Sequence, residues 1–216
     1  MNSPILAPSL LAANHGEFAL GIKAIEEAGL KWVHLDIMDG HFVPNISFGP
    51  QVVADLRSKT KLHFDVHLML QNPDRFIAPF LKAGAETITV HVEADHDVAK
   101  TLKTIKDAGI QAGIAMNPDC DPKRLLPYID SVDLVLCMTV FPGFGGQSFI
   151  PSVLESIQFL SAERKKRGLK FRLEVDGGIN SETGLQCRAA GADTLVAGTA
   201  FYKAPDRRAF IAGLTA

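Results

Sequence analysis

The sequence predicts an α/β fold: a single (β/α)8 TIM barrel, in which eight parallel strands alternate with helices over residues 1–216. Two observations carry this prediction. A helix, a glycine and a strand follow one another in a pattern that recurs four times, and further apolar runs bring the strand count to eight. The chain then offers about 27 residues per strand–helix unit, which makes the expected barrel a compact one.

The recurring pattern ends an amphipathic helix on a glycine and begins an apolar run directly after it. Glycine takes the left-handed conformation that closes many helices. A short apolar run is typical of a strand buried on both faces of a parallel sheet. We therefore expect strands to begin near residues 32, 87, 111 and 194. The four closing glycines are Gly29, Gly84, Gly109 and Gly191.

Four more apolar runs complete the set, at residues 5–10, 62–68, 133–138 and 171–175. Helical segments fill the intervals, and Pro73 suits the first position of a helix predicted over 73–83. An open doubly wound sheet is the alternative architecture. It would favour a glycine-rich turn after the first strand, whereas this chain continues Ser9-Leu-Leu-Ala-Ala.

Composition and charge exclude several classes of protein. Hydrophobic residues make up 47% and charged residues 21%, which is ordinary for a globular chain. The net charge of −2 lacks the basic excess of nucleic-acid-binding proteins. No apolar run is long enough for a membrane span, and the N-terminus does not resemble a signal peptide. The three widely spaced cysteines fit a reducing compartment, so we expect a cytoplasmic protein with no nucleic-acid or membrane partner.

Ionisable side chains gather at the predicted carboxyl ends of the strands, where barrel enzymes carry their active sites. His34 and Asp36 are two residues apart and share one face of the second strand. His67 and Asp176 come at the matching height on the third and seventh strands. Two imidazoles and two carboxylates suit one divalent ion such as Zn, Fe(II), Mn or Co. Each alone would more simply be a hydrogen-bonded structural group, but the coincidence of four favours a metal site.

Other histidines compete for the same role. His91 ends the fourth strand and is the strongest competitor, and we interpret it as a supporting or structural residue. His63 and Asp65 lie on the same face of the third strand as His67 but deeper in the barrel, so we interpret them too as supporting or structural residues. His41 follows the second strand and is expected in a solvent-facing loop.

Three glycine-bearing loops at the same edge indicate a phosphate site. Glycine lets backbone N–H groups approach an anion, and the loops after the seventh and eighth strands commonly hold phosphate in barrels. Turns also use glycine, so one such loop would be weak evidence, but three adjacent loops favour a phosphorylated substrate. After the sixth, seventh and eighth strands, these loops contain Gly143, Phe144, Gly145 and Gly146; Gly177 and Gly178; and Gly198 and Thr199.

Four of the five methionines fall at predicted strand ends. Methionine usually fills gaps in a core, and that reading suits any one of them. Their clustering instead suggests a flexible apolar cap above the reacting carbons, which would exclude water without donating protons. The four residues are Met38, Met69, Met116 and Met138.

Five segments match one known family pattern: Ala7-Pro-Ser-Leu-Leu-Ala-Ala13, His34-Leu-Asp-Ile-Met-Asp-Gly-His-Phe-Val-Pro-Asn45, Asp65-Val-His-Leu-Met69, Pro142-Gly-Phe-Gly-Gly-Gln147 and Glu174-Val-Asp-Gly-Gly-Ile179. Through them the chain resembles the ribulose-phosphate 3-epimerases from about residue 5 to residue 203. The resemblance implies a barrel of the ribulose-phosphate-binding type. It also implies a metal-dependent enzyme of the pentose phosphate pathway that interconverts D-ribulose 5-phosphate and D-xylulose 5-phosphate.

Residue by residue, the resemblance implies a division of roles. The ligands of one divalent ion per subunit would be His34, Asp36, His67 and Asp176. Asp36 and Asp176 would also form the acid–base pair that moves the C3 proton through a metal-stabilised enediolate. Ser9, His67 and Asp176 would contact the phosphorylated ketopentose together with the three glycine loops. We further expect a homo-oligomer.

Two positions depart from the family pattern, and two alternatives stay open. Phe141 stands where a polar residue is common, and Thr199 stands where Ser is usual but keeps the hydroxyl. Allulose-6-phosphate 3-epimerases share the chemistry but typically replace one glycine in each of two loop segments, and this chain keeps both. A non-catalytic phosphosugar-binding barrel is the other alternative, although it would not require the pair of Asp36 and Asp176.

Overall fold

The structure is a computed structural model that describes residues 4–215, so the outermost residues of the predicted 1–216 domain lie outside it. Eight parallel strands form one sheet in the order β1-β8-β7-β6-β5-β4-β3-β2. An isolated parallel bridge between Ser9 and His34 brings β1 back to β2 and closes the barrel. The strands are β1 (Ile5–Pro8), β2 (Trp32–Met38), β3 (His63–Met69), β4 (Thr87–His91), β5 (Gln111–Met116), β6 (Leu134–Met138), β7 (Arg172–Asp176) and β8 (Thr194–Ala197).

Helices surround this sheet. The α-helices are α1 (Phe18–Glu27), α2 (Pro50–Arg57), α3 (Ile77–Lys82), α4 (Val98–Asp107), α5 (Val153–Lys166), α6 (Ser181–Ala190), α7 (Thr199–Tyr202) and α8 (Arg207–Thr215). Short 3-10 helices cover Leu10–Ala12, His15–Glu17, Pro73–Phe76 and Pro122–Leu125. The predicted TIM barrel is thus confirmed, and every strand begins within one residue of its predicted start.

None of the helices in residues 4–215 combines the length and apolarity that crossing a bilayer would need.

The helix predicted over 73–83 is divided. Its first turn is the 3-10 helix Pro73–Phe76, and the α-helix begins only at Ile77. Pro79 explains the division, because it has no N–H to donate to the carbonyl four residues earlier and its ring crowds that carbonyl. The tighter 3-10 turn avoids this conflict. The four glycines that close the recurring unit all have positive φ, between 80° and 115°, as the pattern predicted.

Alternation along the strands separates two regions of the interior. On β2, the side chains of Val33, Leu35 and Ile37 join the large core between the sheet and the helices. Strand side chains alternate between faces, so His34 and Asp36 point into the barrel. A smaller apolar cluster fills the barrel interior beside them, made of Ala115, Leu134, Leu136, Met138 and Val140. The scaffold therefore presents ionisable residues on the inside of β2 and β3, next to an apolar wall.

Candidate active site

The four residues predicted as metal ligands converge inside the barrel. The β2–β3 register places Asp36 beside His67, and one ligand atom from each of His34, Asp36, His67 and Asp176 lies within 4.8 Å of all the others. His34 Nε2 and His67 Nδ1 each lie 3.3 Å from Asp36 Oδ1, and the two nitrogens lie 3.4 Å apart. The structure therefore brings together the whole predicted set.

The spacing of these atoms tests whether a metal ion fits. Ligand atoms about 2.0–2.1 Å from a tetrahedral zinc ion are separated from one another by about 3.3 Å. The spacings among Asp36 Oδ1, His34 Nε2 and His67 Nδ1 are 3.3 to 3.4 Å. These distances are long for hydrogen bonds between the same groups. The residues present thus fit a divalent ion of this size.

The two carboxylates of the cluster occupy different electrostatic environments. Burial acts to raise the pKa of Asp36, but the charge and hydrogen bond of His34, with a contribution from His67, lower it well below its ordinary range. Burial and the neighbouring carboxylate of Asp36 raise the pKa of Asp176 to about 7. Burial disfavours the charged form of His67 as well, and because that form is the protonated one, the pKa of this imidazole falls to about 4. His67 is therefore neutral at physiological pH. Two carboxyl groups with divergent pKa values are typical of an acid–base pair.

A second layer of carboxylates lies beneath the cluster. Asp65 Oδ2 lies 2.7 Å from His34 Nδ1, so this buried carboxylate can accept a hydrogen bond from the imidazole and hold the ring in place. Glu174 Oε1 lies 3.9 Å from the same nitrogen, and both oxygens of this buried side chain lack a hydrogen-bond partner among the described residues. Burial and the charge of Asp65 raise the pKa of Glu174 well above its ordinary value. Glu174 was not among the predicted site residues, although it stands two residues before Asp176 and so lies on the same face of β7.

The other histidines lie outside the ligand set. His91 is buried beside His67, with the two Nε2 atoms 2.8 Å apart. His63 lies at the opposite end of β3, stacked on Trp32 with ring centroids 3.9 Å apart. His41 is exposed in the loop after β2, where its backbone N–H donates to Asp39.

A cavity opens above the cluster at the carboxyl ends of the strands. Ser9 and Asp36 both line it, and the Ser9 hydroxyl donates to Asp36 Oδ2 over 2.5 Å. His67 lies below this lining, within the cluster itself. The other predicted substrate-binding residues all line the cavity: Gly143, Phe144, Gly145, Gly146, Asp176, Gly177, Gly178, Gly198 and Thr199.

Backbone N–H groups in two of the glycine loops are available to an anion. Among the described residues, none accepts a hydrogen bond from the backbone N–H of Gly177, Gly178, Gly198 or Thr199. Gly178 has a φ of +63°, and a Cβ there would lie 2.7 Å from the backbone nitrogen of Phe149. Only glycine therefore fits this close approach of two loops. Unpaired donors around a cavity are the arrangement expected of a phosphate site.

Three of the four predicted cap methionines line the cavity, namely Met38, Met69 and Met138. The structure does not bring Met116 to this group. Met116 shares the parity of Ala112 and Ile114 on β5, and all three belong to the core between the sheet and the helices. Its side chain thus packs outside the barrel, while Ala115 faces the interior.

Comparison with known proteins decides the family. The model of the ribulose-phosphate 3 epimerase family matches residues 5–202. The chain belongs to the ribulose-phosphate 3-epimerase family. It is 46% identical over 204 residues to the ribulose-phosphate 3-epimerase of Bacillus subtilis (strain 168), covering 94% of each chain. It is 42% identical to the chloroplastic ribulose-5-phosphate-3-epimerase of Arabidopsis thaliana, covering 98% of this chain and 76% of that protein.

Membership confirms the predicted family and the predicted class of enzyme, an isomerase acting on carbohydrates. Solved structures of more distant proteins share the fold of this epimerase. The 3-hexulose-6-phosphate synthase of Salmonella typhimurium superposes with a TM-score of 0.70 at 18% identity, covering 98% of this chain and 96% of that one. Phosphoribosyl anthranilate isomerase from Thermococcus kodakaraensis gives a TM-score of 0.65 at 16% identity, with the same coverage. At these identities the similarity concerns the barrel alone.

The raised pKa of Asp176 predicts how the metal-free epimerase responds to pH. The folded-state pKa of about 7 exceeds the ordinary aspartate value of 3.8, so ionising this group costs folding stability as the pH rises between these values. Asp176→Asn should therefore stabilise the metal-free protein, by a gain that grows from about pH 4 to pH 7 and reaches at most about 4 kcal/mol. Thermal unfolding across this range measures the gain. The exposed Asp119→Asn is the control, and a gain for Asp176→Asn that does not change with pH would contradict the assignment.

Proposed function

We propose that this epimerase interconverts D-ribulose 5-phosphate and D-xylulose 5-phosphate by a metal-dependent, two-base transfer of the C3 proton. The observation that carries the proposal is the pair of carboxylates, Asp36 and Asp176, held in one cluster with two imidazoles beneath a cavity edged by glycine loops. The curated relatives named as ribulose-phosphate 3-epimerases support the choice of substrate. A barrel that only bound a phosphosugar would have no use for a pair of carboxylates held close together in this way.

His34, Asp36, His67 and Asp176 would hold the ion. A divalent ion bound there would polarise the carbonyl next to C3 and so make the C3 proton more acidic. The spacing of the donor atoms supports this role, and so does the low pKa of His67, because a ligand imidazole has to be neutral.

Inversion at C3 requires that a proton leave one face of the carbon and return to the other. Asp36 extends from β2 and Asp176 from β7, and β1 and β8 lie between these strands around the barrel. The two carboxyl groups therefore approach the reacting carbon from different sides. In one direction Asp36 accepts the proton while Asp176 donates one, and the roles exchange in the reverse direction. Positioned acid–base groups typically contribute about 10²–10⁴-fold each.

Ser9 and the methionines would support this chemistry. The Ser9 hydroxyl donates to Asp36 and orients the carboxylate toward the cavity. Met38, Met69 and Met138 offer an apolar lining above the cluster, which would exclude water and so prevent stray protons from reaching the deprotonated substrate.

The substrate phosphate would bind at the glycine loops. The free N–H groups of Gly177, Gly178, Gly198 and Thr199 support this placement, together with the loop 143–146 on the other side of the cavity. That loop is braced, because Asn45 Nδ2 donates to the Gly143 carbonyl over 2.7 Å. Retention of every glycine in these loops favours the ketopentose over allulose 6-phosphate. The pentose phosphate pathway, the cytoplasmic location, the homo-oligomer and the choice among Zn, Fe(II), Mn and Co remain predictions.

Removal of His67 tests the metal site. The wild-type protein, loaded with one divalent ion per subunit, should turn over D-ribulose 5-phosphate, whereas His67→Ala should lose the ion and most of the activity. Three ligands from the protein would remain, one of them a carboxylate of high pKa, and they would hold the ion poorly. Elemental analysis and turnover are the measurements. His63→Ala, at the far end of the same strand, should keep its metal, and a fully loaded His67→Ala protein would contradict the ligand set.

A side chain at Gly178 tests the phosphate site. Gly178→Val should raise the KM for D-ribulose 5-phosphate by about tenfold or more, because the added methyl groups would displace the loop that carries the free N–H donors. Metal content should stay near normal. Gly168→Val is the matched control, since Gly168 has a φ of +66° with open space around it and lies away from the cavity. Equal KM values for both variants would place the phosphate elsewhere.

A further inference from the structure

We propose that Glu93 is a positioning residue of the metal site, which acts through His91 to hold His67 in the one tautomer whose Nδ1 can bind the ion. This inference rests on the metal-dependent function proposed above. Glu93 follows β4 and lies outside the set of ligands and cavity-lining residues.

Three contacts connect Glu93 to the cluster. Glu93 Oε2 lies 3.2 Å from His91 Nδ1, and His91 Nε2 lies 2.8 Å from His67 Nε2. The other nitrogen of His67, Nδ1, faces Asp36 Oδ1 at 3.3 Å. Both imidazoles are fully buried, so water does not compete for these nitrogens. A continuous path of side chains therefore leads from Glu93 to the proposed metal.

The direction of each hydrogen bond follows from the carboxylate. An ionised carboxylate only accepts hydrogen bonds, so His91 has to donate from Nδ1. A neutral His91 then carries a lone pair on Nε2, which accepts from His67. His67 therefore holds its proton on Nε2 and keeps the lone pair on Nδ1. That lone pair points into the cluster, where the ion would bind.

The surroundings of Glu93 keep it in the accepting role. Its two oxygens have separate donors, because Oε1 accepts from the backbone N–H of Asn117 over 2.8 Å while Oε2 faces His91. Burial acts to raise the pKa of Glu93, but the hydrogen bond from His91 and the backbone N–H of Asn117 outweigh it, and the pKa falls below its ordinary value.

The other histidine ligand has the same kind of support by a shorter route. His34 Nδ1 lies 2.7 Å from Asp65 Oδ2, which leaves His34 Nε2 free for the ion. Histidines that bind metals generally donate their second N–H to a carboxylate or carbonyl group. Among the described residues, His91 is the hydrogen-bond partner of His67 Nε2, and Glu93 supplies the carboxylate at the next step.

His91 is not itself a further ligand in this arrangement. Two nitrogens bound to one tetrahedral ion lie about 3.3 Å apart, whereas 2.8 Å is the distance of a hydrogen bond between them. A hydrogen bond therefore joins the two Nε2 atoms, and the ion would bind on the opposite side of the His67 ring.

Glu93→Gln tests the proposal, because glutamine has one accepting oxygen where the site requires two. Its NH2 group would face either Asn117 N–H or His91 Nδ1, and in the second case both tautomers reverse and a proton on His67 Nδ1 opposes the ion. We expect the affinity for Zn(II), measured by chelator competition, to fall about 10–100-fold. The matched control is Glu86→Gln, at the opposite end of β4, where Glu86 pairs with Arg57. This control should bind Zn(II) as the wild type does.

A second variant covers the case in which Glu93→Gln fails to fold. His91→Phe fills the same space but leaves His67 without its acceptor, and it should weaken Zn(II) binding similarly. Because the two residues act in series, the double variant should bind no more weakly than His91→Phe alone, whereas independent structural effects would add. Zn(II) affinities within twofold of wild type in folded Glu93→Gln or His91→Phe protein would overturn the proposal. Failure of the wild type itself to bind divalent ions would instead refute the metal-dependent function.

Discussion

Two carboxylates and two imidazoles occupy one small volume inside the barrel, and the burial of their charge constrains everything around them. A buried ionised group is costly unless partners offset its charge and satisfy its hydrogen bonds. His34 and Ser9 stabilise the charge of Asp36, whereas no side chain within residues 4–215 donates a comparable hydrogen bond to Asp176, and its pKa rises to about 7. A divalent ion would offset the remaining charge, so the same arrangement that is unfavourable when metal-free prepares the site for a cation.

The barrel supplies the geometry that this cluster needs. Alternation on β2 turns His34 and Asp36 inward while their neighbours pack against the helices, and the parallel register sets Asp36 beside His67. Closure through the bridge between Ser9 and His34 brings the loops after β7 and β8 next to those after β1 and β2. Proton transfer and phosphate binding can therefore occupy adjacent parts of one cavity, which suits a small phosphorylated sugar.

Much of this arrangement could be predicted from the sequence, because strand parity and helix-closing glycines are local signals. The ligand set followed from residues at the ends of three strands, and the structure brings them together. The prediction for Met116 was wrong because a place at the end of a strand does not say which face of the strand a side chain occupies. The contacts of Glu174 with His34 and of His91 with His67 join buried residues of different strands, so they depend on strand register and packing rather than on local sequence. The helix predicted over 73–83 is divided because Pro79 has no N–H to donate, an effect of a single residue that the pattern of apolar positions does not show.

In the proposed mechanism, Asp36 and Asp176 transfer protons on opposite faces of C3. Epimerisation of D-ribulose 5-phosphate in D2O by the metal-loaded protein tests it most directly, with deuterium at C3 measured in both sugars at low conversion. Two bases predict deuterium in the newly formed D-xylulose 5-phosphate and almost none in the recovered substrate, because the base that removes the proton is not the one that supplies the deuteron. Equal deuterium in both sugars at early times would indicate a single base that serves both faces and would rule out the two-base mechanism.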